Sequence, residues 1–187
     1  MQKKIAELIE EDIQVKSKLL KGQIKDIESL AREMISTIKT GKKIIIFGNG
    51  GSAADSIHLA AELVGRFKKE RRAVPAIALT SNISTLTALG NDYDFGYIFE
   101  RQISAIGRKG DMALGISTSG KSKNVLMGVL KASSMKLKTA VLTGSSKSRL
   151  SEIADIAIKV PSDNTPRIQE SHITIIHVLC EIVEDSL

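Results

Sequence analysis

Residues 44–55 constrain the fold more than any other stretch of this chain. Four apolar residues at 44–47, three of them isoleucines, predict a buried strand. The turn Gly48-Asn-Gly-Gly follows, and an apolar periodicity from Ala53 predicts a helix. Because glycine lacks a Cβ and the first N–H groups of a helix are unpaired, such a loop can hold an anion against the backbone. The stretch predicts a phosphate-binding unit, and the alternative is a tight turn without a ligand.

Two nucleotide-binding motifs come close to this loop, and neither is complete. Residues 48–53 fit the pattern G-x-G-x-x-A, which also requires an acidic residue at the end of the next strand. The next strand-like run, 75–79, ends in Thr80-Ser-Asn, so no carboxylate is available for a ribose. The Walker A pattern also fails, because no Gly-Lys-Ser/Thr closes the loop.

Strand-like and helix-like runs alternate after the glycine loop. The further strands are predicted at 76–80, 112–116, 139–143 and 156–160, with a final helix from about Arg167. Such alternation predicts an α/β fold with a five-stranded, parallel, doubly wound sheet covered by helices on both faces. Ligands of these sheets bind beyond the carboxyl ends of the strands, where the winding direction switches.

Two amphipathic helices are predicted ahead of the first strand, broken near Gly22. Their apolar positions follow helical spacing at Ile5, Leu8, Ile9, Ile13, Ile24, Ile27, Leu30, Ala31, Met34 and Ile38. The sequence therefore predicts one domain, 1–187, with an N-terminal helical hairpin at 1–40 and an α/β core at 41–187. Helices ahead of an α/β unit need an apolar partner, and packing between subunits is one way to supply it.

Composition limits the partners and the compartment. No apolar run approaches the roughly 18 residues of a membrane span, and the first residues contain acids where a secretory signal has an apolar core. The single Cys180 allows no internal disulfide, so we expect a cytoplasmic protein. The net charge is +6, yet the chain has two Tyr, four Phe and no Trp, so we expect a solvated basic surface and no nucleic-acid partner.

A second loop has the composition of a phosphate site. Four hydroxyl residues follow the strand at 112–116 and precede a predicted helix; they are Ser117, Thr118, Ser119 and Ser122. Hydroxyls and N–H groups at a helix start suit a phosphate monoester. Helix capping alone is the alternative, and the neighbouring glycine loop favours the phosphate.

Imidazole and carboxylate groups recur at helical spacing on two predicted helices. His58, Glu62 and Arg66 are each four residues apart and can share one helical face. Gln169 and His177, eight apart on the last helix, can face one cavity, whereas His172 points elsewhere. These groups could bind a metal or transfer protons, and a surface network or buried core histidines are the alternatives.

Four separated segments resemble phosphoheptose isomerases of the sugar isomerase (SIS) domain superfamily. They are residues 48–66 (GNGGSAADSIHLAAELVGR), 89–93 (LGNDY), 116–122 (ISTSGKS) and 167–177 (RIQESHITIIH). The resemblance extends over nearly the whole chain. It implies a flavodoxin-like fold that assembles as a homotetramer, with active sites between subunits. It also implies conversion of sedoheptulose 7-phosphate to D-glycero-D-manno-heptose 7-phosphate, the first step towards nucleotide-activated heptose.

The same resemblance assigns roles to individual residues. Glu62 resembles the general base and His177 the general acid. One Zn²⁺ per subunit is implied, held by His58, Glu62, Gln169 and His177. The substrate contacts implied are Asn49, Gly50, Gly51, Ser52, Arg66, Asn91, Asp92, Ser117, Thr118, Ser119, Ser122 and Gln169.

One position departs from the family, and two other functions compete. Family members often carry an acidic residue three positions before the glutamine, where this chain has Pro166; Asp163 is near enough to substitute. Relatives of this fold that bind a replication-initiation partner are the main alternative, and the joint presence of His58, Glu62, Gln169 and His177 favours catalysis. A phosphosugar-sensing regulator would be expected to carry a DNA-binding segment, and none is visible.

Overall fold

Five parallel strands form the sheet of the protein in the computed structural model, which describes residues 1–187. The strands are β1 Ile44–Gly48, β2 Ala76–Ala78, β3 Met112–Ser117, β4 Lys138–Thr143 and β5 Ile156–Lys159. They are ordered β2-β1-β3-β4-β5, and all neighbouring pairs are parallel. The predicted five-stranded, doubly wound sheet is therefore confirmed.

Eight helices cover the two faces of this sheet. They are α1 Gln2–Gly22, α2 Ile24–Lys39, α3 Gly51–Val64, α4 Ile83–Asp92, α5 Ile98–Ile106, α6 Lys123–Ser134, α7 Arg149–Ile153 and α8 Thr165–Asp185, with a 3₁₀ turn at Phe95–Tyr97. Side chains of β1 alternate between two cores, as the pleat requires. Ile44 and Ile46 pack with α1, α2, α3 and α8, while Ile45 and Phe47 pack with α5, α6 and α7.

The N-terminal helices are interrupted where the sequence predicted. α1 ends at Gly22 and α2 begins at Ile24, because Gln23 between them is not helical (φ −122°, ψ 3°). α2 buries most of its apolar face, including Leu30 and Met34. α1 buries only Val15 and Leu19, so most of its apolar side chains remain exposed within one chain. None of the helices combines the length and the apolar character needed to span a membrane.

Three element boundaries differ from the sequence prediction by two residues, and those of β3, β4 and β5 differ by one. α3 begins at Gly51 instead of Ala53, because the first two residues of this helix are small and carry no apolar signal. β2 ends at Ala78, two residues early, since it is an edge strand with three residues paired to β1. α8 begins at Thr165 and takes Pro166 into its first turn, where proline loses no hydrogen bond because the N–H groups there are unpaired.

Candidate active site

The site lies where the winding of the sheet changes direction, between β1 and β3. Strand order runs from β1 outwards to β2 on one side and through β3 to β5 on the other. Connections from neighbouring strands therefore leave in opposite directions and open a crevice at the carboxyl edge. The two loops at this crevice are 48–51, after β1, and 117–122, after β3. Both loops identified from sequence thus meet at one place.

The loop after β1 is shaped by glycines that no other residue could replace without movement. A Cβ on Gly48 would lie 2.8 Å from the carbonyl oxygens of Ile116 and Ser52. Gly50 adopts a φ of 55°, in the left-handed region that favours glycine. A Cβ on Gly51 would lie 2.2 Å from Nε2 of Gln169, so the α8 glutamine packs directly on this backbone. The loop therefore brings an open α3 N-terminus and the Gln169 amide together.

The loop after β3 presents hydroxyl groups at the start of α6. The Oγ atoms of Ser117 and Ser122 are 3.0 Å apart, and Ser122 is the N-cap of the helix. Ser119 Oγ accepts a hydrogen bond of 3.2 Å from the backbone N–H of Lys121. Hydroxyls beside the positive end of a helix of 12 residues form a suitable environment for a phosphate.

A pair of amides joins the two loops. Asn49 Nδ2 donates to Asn124 Oδ1 at 2.8 Å, and Asn124 Nδ2 donates to Asn49 Oδ1 at 2.9 Å. Asn124 Oδ1 also accepts from the N–H of Val125 at 2.9 Å. Asn49, implied as a substrate contact, keeps one N–H and one lone pair for that purpose. The bonds fix the spacing of loops 48–51 and 117–122. We call these the two anion-ready loops, because each presents hydrogen-bond donors at the start of a helix.

His58, Glu62 and His177 converge from α3 and α8. Nε2 of His58 lies 3.0 Å from Nε2 of His177, and the two ring centroids are 5.2 Å apart. Oε1 of Glu62 lies 3.7 Å from Nε2 of His58. The ring of Phe67 lies 5.6 Å from that of His177. An imidazole pair with a carboxylate one turn away can carry out proton transfer between neighbouring atoms of a substrate.

The donor atoms of this cluster are those that zinc prefers. Imidazole nitrogens and a carboxylate oxygen bind Zn²⁺ in proteins, and two such nitrogens point at each other across 3.0 Å. No three His, Cys, Asp or Glu side chains are arranged so as to hold a metal ion. The donor chemistry thus fits zinc, and Oε1 of Glu62 lies 3.7 Å from Nε2 of His58.

The remaining predicted residues lie around the crevice. Ser52 is buried in the first turn of α3. Thr118, Ser119 and Asp163 line one polar cavity of about 120 Å³ beyond β3, β4 and β5. Asp163 therefore shares a cavity with two predicted substrate contacts, whereas Pro166 stands in the first turn of α8.

Three predicted substrate contacts are solvent-exposed in the single chain. Arg66 lies beyond the C-terminal end of α3. Asn91 and Asp92 lie in the last turn of α4, where Asn91 Nδ2 donates to Asp92 Oδ1 at 3.0 Å. No hydrogen bond or ion pair within one chain joins these three residues to the His58–His177 cluster.

His172 and Cys180 belong to the core. His172 is fully buried, and its Nε2 lies 3.3 Å from the carbonyl oxygen of Thr143. Burial lowers the pKa of His172 to about 4, so it stays neutral. Burial likewise raises the pKa of the Cys180 thiol to about 12, which makes it a poor nucleophile.

Sequence patterns alone missed three residues around the site: Asn124, Phe67 and Glu184. Asn124 lies two residues after the N-cap Ser122, where a polar residue at a helix start carries no functional signal of its own. Glu184 carried a usable signal, because it falls on the apolar stripe of α8 with Ile176, Cys180 and Val183. A carboxylate on the buried face of a helix requires partners.

Fold and site together define a class: a doubly wound α/β protein with an anion-ready crevice and an imidazole–carboxylate cluster beside it. The SIS domain model matches residues 9–144. The phosphoheptose isomerase of Aquifex aeolicus is 50% identical over 185 residues, covering 99% of this chain and 97% of that protein. The chain belongs to the SIS domain family, among its phosphoheptose isomerases.

Solved structures give the same relationship. The phosphoheptose isomerase from Francisella tularensis has a TM-score of 0.95 at 38% identity, covering 98% of both chains. The one from Neisseria gonorrhoeae has a TM-score of 0.93 at 37% identity, again covering 98% of both chains. The fold inferred from the resemblance is therefore confirmed over nearly the whole chain.

Proposed function

We propose that this protein converts sedoheptulose 7-phosphate into D-glycero-D-manno-heptose 7-phosphate, the first step towards nucleotide-activated heptose. The observation that carries the proposal is the His58–Glu62–His177 cluster beside two anion-ready loops. The relatives named as phosphoheptose isomerases cover 98–99% of this chain. They give no support to the alternative, a non-enzymatic protein that binds a replication-initiation partner.

Ketose–aldose isomerisation needs groups of this kind. A base removes a proton from C1 of the ketose, and an acid protonates the oxygen at C2, which gives an enediol. The proton is then returned to C2 while the hydroxyl at C1 loses its proton and becomes the aldehyde. We assign the carbon-bound proton to Glu62 and the oxygen-bound protons to His177. His58 lies 3.0 Å from His177 and so orients that ring, and it lies 3.7 Å from the Glu62 carboxylate.

The phosphate of the substrate is assigned to the two loops. Ser117, Thr118, Ser119 and Ser122 would supply hydroxyl donors, and the α6 N-terminus would supply backbone N–H groups. Gly50, Gly51 and Ser52 would supply N–H groups from the start of α3. Gln169 and Asn49 remain available to the hydroxyls of the sugar. The phosphate anchors one end of the chain, so that the carbonyl end reaches the cluster on α3 and α8.

A direct assay tests the function. The purified protein should convert sedoheptulose 7-phosphate to an aldoheptose 7-phosphate, followed by coupled detection of the aldose. His177→Ala should abolish most of this turnover while the melting temperature changes little, because His177 is exposed. A folded wild-type protein without turnover, with or without zinc, would contradict the proposal.

A zinc ion is proposed at His58, Glu62, Gln169 and His177. Zinc would polarise the carbonyl of the substrate and stabilise negative charge on its oxygen. Treatment with a chelator should lower turnover, and added zinc should restore it. Mass spectrometry should find about one zinc per subunit in the wild type and much less in His58→Ala. Equal metal content in the two proteins would exclude this site.

We also propose that the protein is a homotetramer with active sites between subunits. Its proposed location is the cytoplasm. α1 exposes five large apolar side chains: Ile5, Leu8, Ile9, Ile13 and Leu20. An apolar groove of about 480 Å³ between α2 and α8 includes Val178, the neighbour of His177. A second copy would bury these surfaces beside the cluster.

Assembly can be measured in solution. Light scattering after size exclusion should give a mass about four times that of the 20.2 kDa chain. Paired substitutions Ile9→Asp and Ile13→Asp on the exposed face of α1 should produce smaller species, because charges would be buried at the interface. A wild-type protein that runs as a monomer would contradict the proposed assembly.

A further inference from the structure

Residues 65–72, which we call the 65–72 loop, form the first part of the connection from α3 to β2 and have little regular structure of their own. The loop begins directly after the last turn of α3, the helix that carries His58 and Glu62. It includes Arg66 and Phe67, and the ring of Phe67 packs 5.6 Å from the ring of His177. The position of this loop therefore bears directly on the catalytic cluster. The residue that holds this loop in place is Glu184 of α8.

Glu184 of α8 binds the backbone of the loop at three consecutive residues. Its Oε1 accepts a hydrogen bond of 2.9 Å from the N–H of Phe67. Its Oε2 accepts bonds of 2.7 Å from Lys68 and 2.8 Å from Lys69. The side chain of Glu184 is only 1% exposed. A buried carboxylate that accepts three N–H hydrogen bonds is a fixed anchor. If the loop moved away, the carboxylate would remain as a buried charge without partners.

The ionisation of Glu184 agrees with this environment. Burial alone would raise the pKa of the carboxyl, and the three N–H groups with the nearby Arg71 outweigh burial, so the pKa is lowered. Glu184 is therefore charged at neutral pH.

Arg71 connects the same anchor to the end of α3. Its Nε lies 3.3 Å from Oε1 of Glu184, and its side chain is 7% exposed. Its Nη2 donates to the carbonyl oxygen of Glu62 at 2.7 Å. Its Nη1 lies 2.9 Å from the carbonyl oxygen of Leu63 and 3.2 Å from that of Gly65. One guanidinium thus ties the backbone of the proposed base to the carboxylate on α8.

Glu184 and His177 share a face of α8. They are seven residues apart, which places them about 20° apart around the helix and about 10.5 Å apart along it. The contacts of Glu184 and Arg71 are therefore made two turns from the proposed acid, on the side that faces α3. Neither residue reaches the reacting atoms.

We propose that Glu184 and Arg71 are positioning residues, which hold α3 and the 65–72 loop against α8 and so fix the spacing of Glu62 and His177. This inference rests on the proposed isomerase function for its kinetic consequence. The structural consequence, the placement of the Phe67 ring on His177, is independent of any activity.

The Glu184→Gln variant tests the proposal, with Glu181→Gln as its matched control. Glu181 is on the same helix and pairs with Lys68 of the same loop at 2.8 Å, but its side chain is 50% exposed. Both variants remove one carboxylate charge, and only the first disturbs the buried anchor. With saturating zinc, kcat of Glu184→Gln should fall about 10- to 100-fold with KM within about twofold, because a small misplacement of acid and base slows the chemical step. Glu181→Gln should behave as the wild type.

A role in stability alone would give a different result. It would lower the melting temperature of Glu184→Gln and leave kcat per folded molecule equal to that of Glu181→Gln, which would overturn the proposal. Arg71→Lys provides a second variant that keeps the bonds of Glu184 to the loop and a positive charge beside it. It should also lower kcat with little effect on KM, because an ammonium cannot reach the several carbonyls of α3 at once.

NMR of the His177 ring gives a readout that does not require turnover. In Glu184→Gln and in Arg71→Lys the ring resonances should move as the Phe67 ring is displaced, while Glu181→Gln should leave them in place. Resonances unchanged in both anchor variants would overturn the proposal even in a protein that does not turn over the heptose phosphate. Moved resonances together with absent wild-type turnover would keep the anchor and reject the isomerase function.

Discussion

The Glu62→Gln substitution is expected to lower kcat for sedoheptulose 7-phosphate by about 10²- to 10⁴-fold, the usual contribution of a general base. Glutamine keeps the shape of the side chain and removes its basicity, so the substrate should still bind. Steady-state kinetics should therefore show a fall in kcat with a smaller change in KM. Exchange of the C1 proton with solvent deuterium, followed by NMR, should slow in parallel.

A charge-matched control separates this effect from the loss of one negative charge. Glu152→Gln removes a carboxylate that is half exposed on α7, paired with Lys147 at 3.3 Å. Its kinetic constants should match the wild type. Full activity of Glu62→Gln would remove Glu62 from the mechanism. Loss of proton exchange and of bound zinc together would show that the carboxylate also holds the metal.

Acidification below about pH 6.5 is expected to decrease the contribution of the buried His172 to the free energy of unfolding. Its pKa falls from 6.5 in the unfolded chain to about 4 in the folded protein because burial disfavours the imidazolium. Between these values the unfolded chain binds more protons, so the stability linked to His172 is complete above pH 6.5 and decreases as pH falls towards 4. The difference corresponds to about 3 kcal/mol of unfolding free energy. Denaturant titrations between pH 7.5 and 4 would measure it.

The comparison with His172→Leu isolates this contribution. Burial raises the pKa of Asp55 to about 6 against the opposing effect of His58, so protonation of Asp55 stabilises the fold as pH decreases. The wild-type curve therefore contains slopes of opposite sign, among them those of Asp55 and His172. The leucine variant keeps that of Asp55 and lacks that of His172, so the free-energy difference between the two proteins should grow in favour of the variant at low pH. A difference independent of pH would contradict the assignment.

Much of the fold and part of the site follow from local sequence patterns. The apolar run 44–47 gave β1, alternation along the chain gave the parallel sheet, and Gly22 marked the break between α1 and α2. The two loops could be placed together because neighbouring parallel strands end at one edge. The i,i+4 spacing put His58 and Glu62 on one face of α3.

Contacts between distant segments could not be predicted in the same way. The His58–His177 approach and the Asn49–Asn124 bonds join residues 119 and 75 positions apart in the chain. Periodicity describes one element at a time and does not specify which side chains meet across elements. Roles for Glu62 and His177 came from family resemblance, while the partners of Glu184 came only from the structure.

The connection that the Asn49–Asn124 pair makes between the two loops should not change with pH. Carboxamides do not titrate in water, so the connection between the two loops has the same strength in acid and in base. The cluster on α3 and α8, by contrast, consists of imidazole and carboxylate groups, which transfer protons in the proposed reaction. Substrate binding and catalysis thus depend on different kinds of group. The carboxamides that hold the two phosphate-binding loops together do not take part in the proton transfers of the reaction.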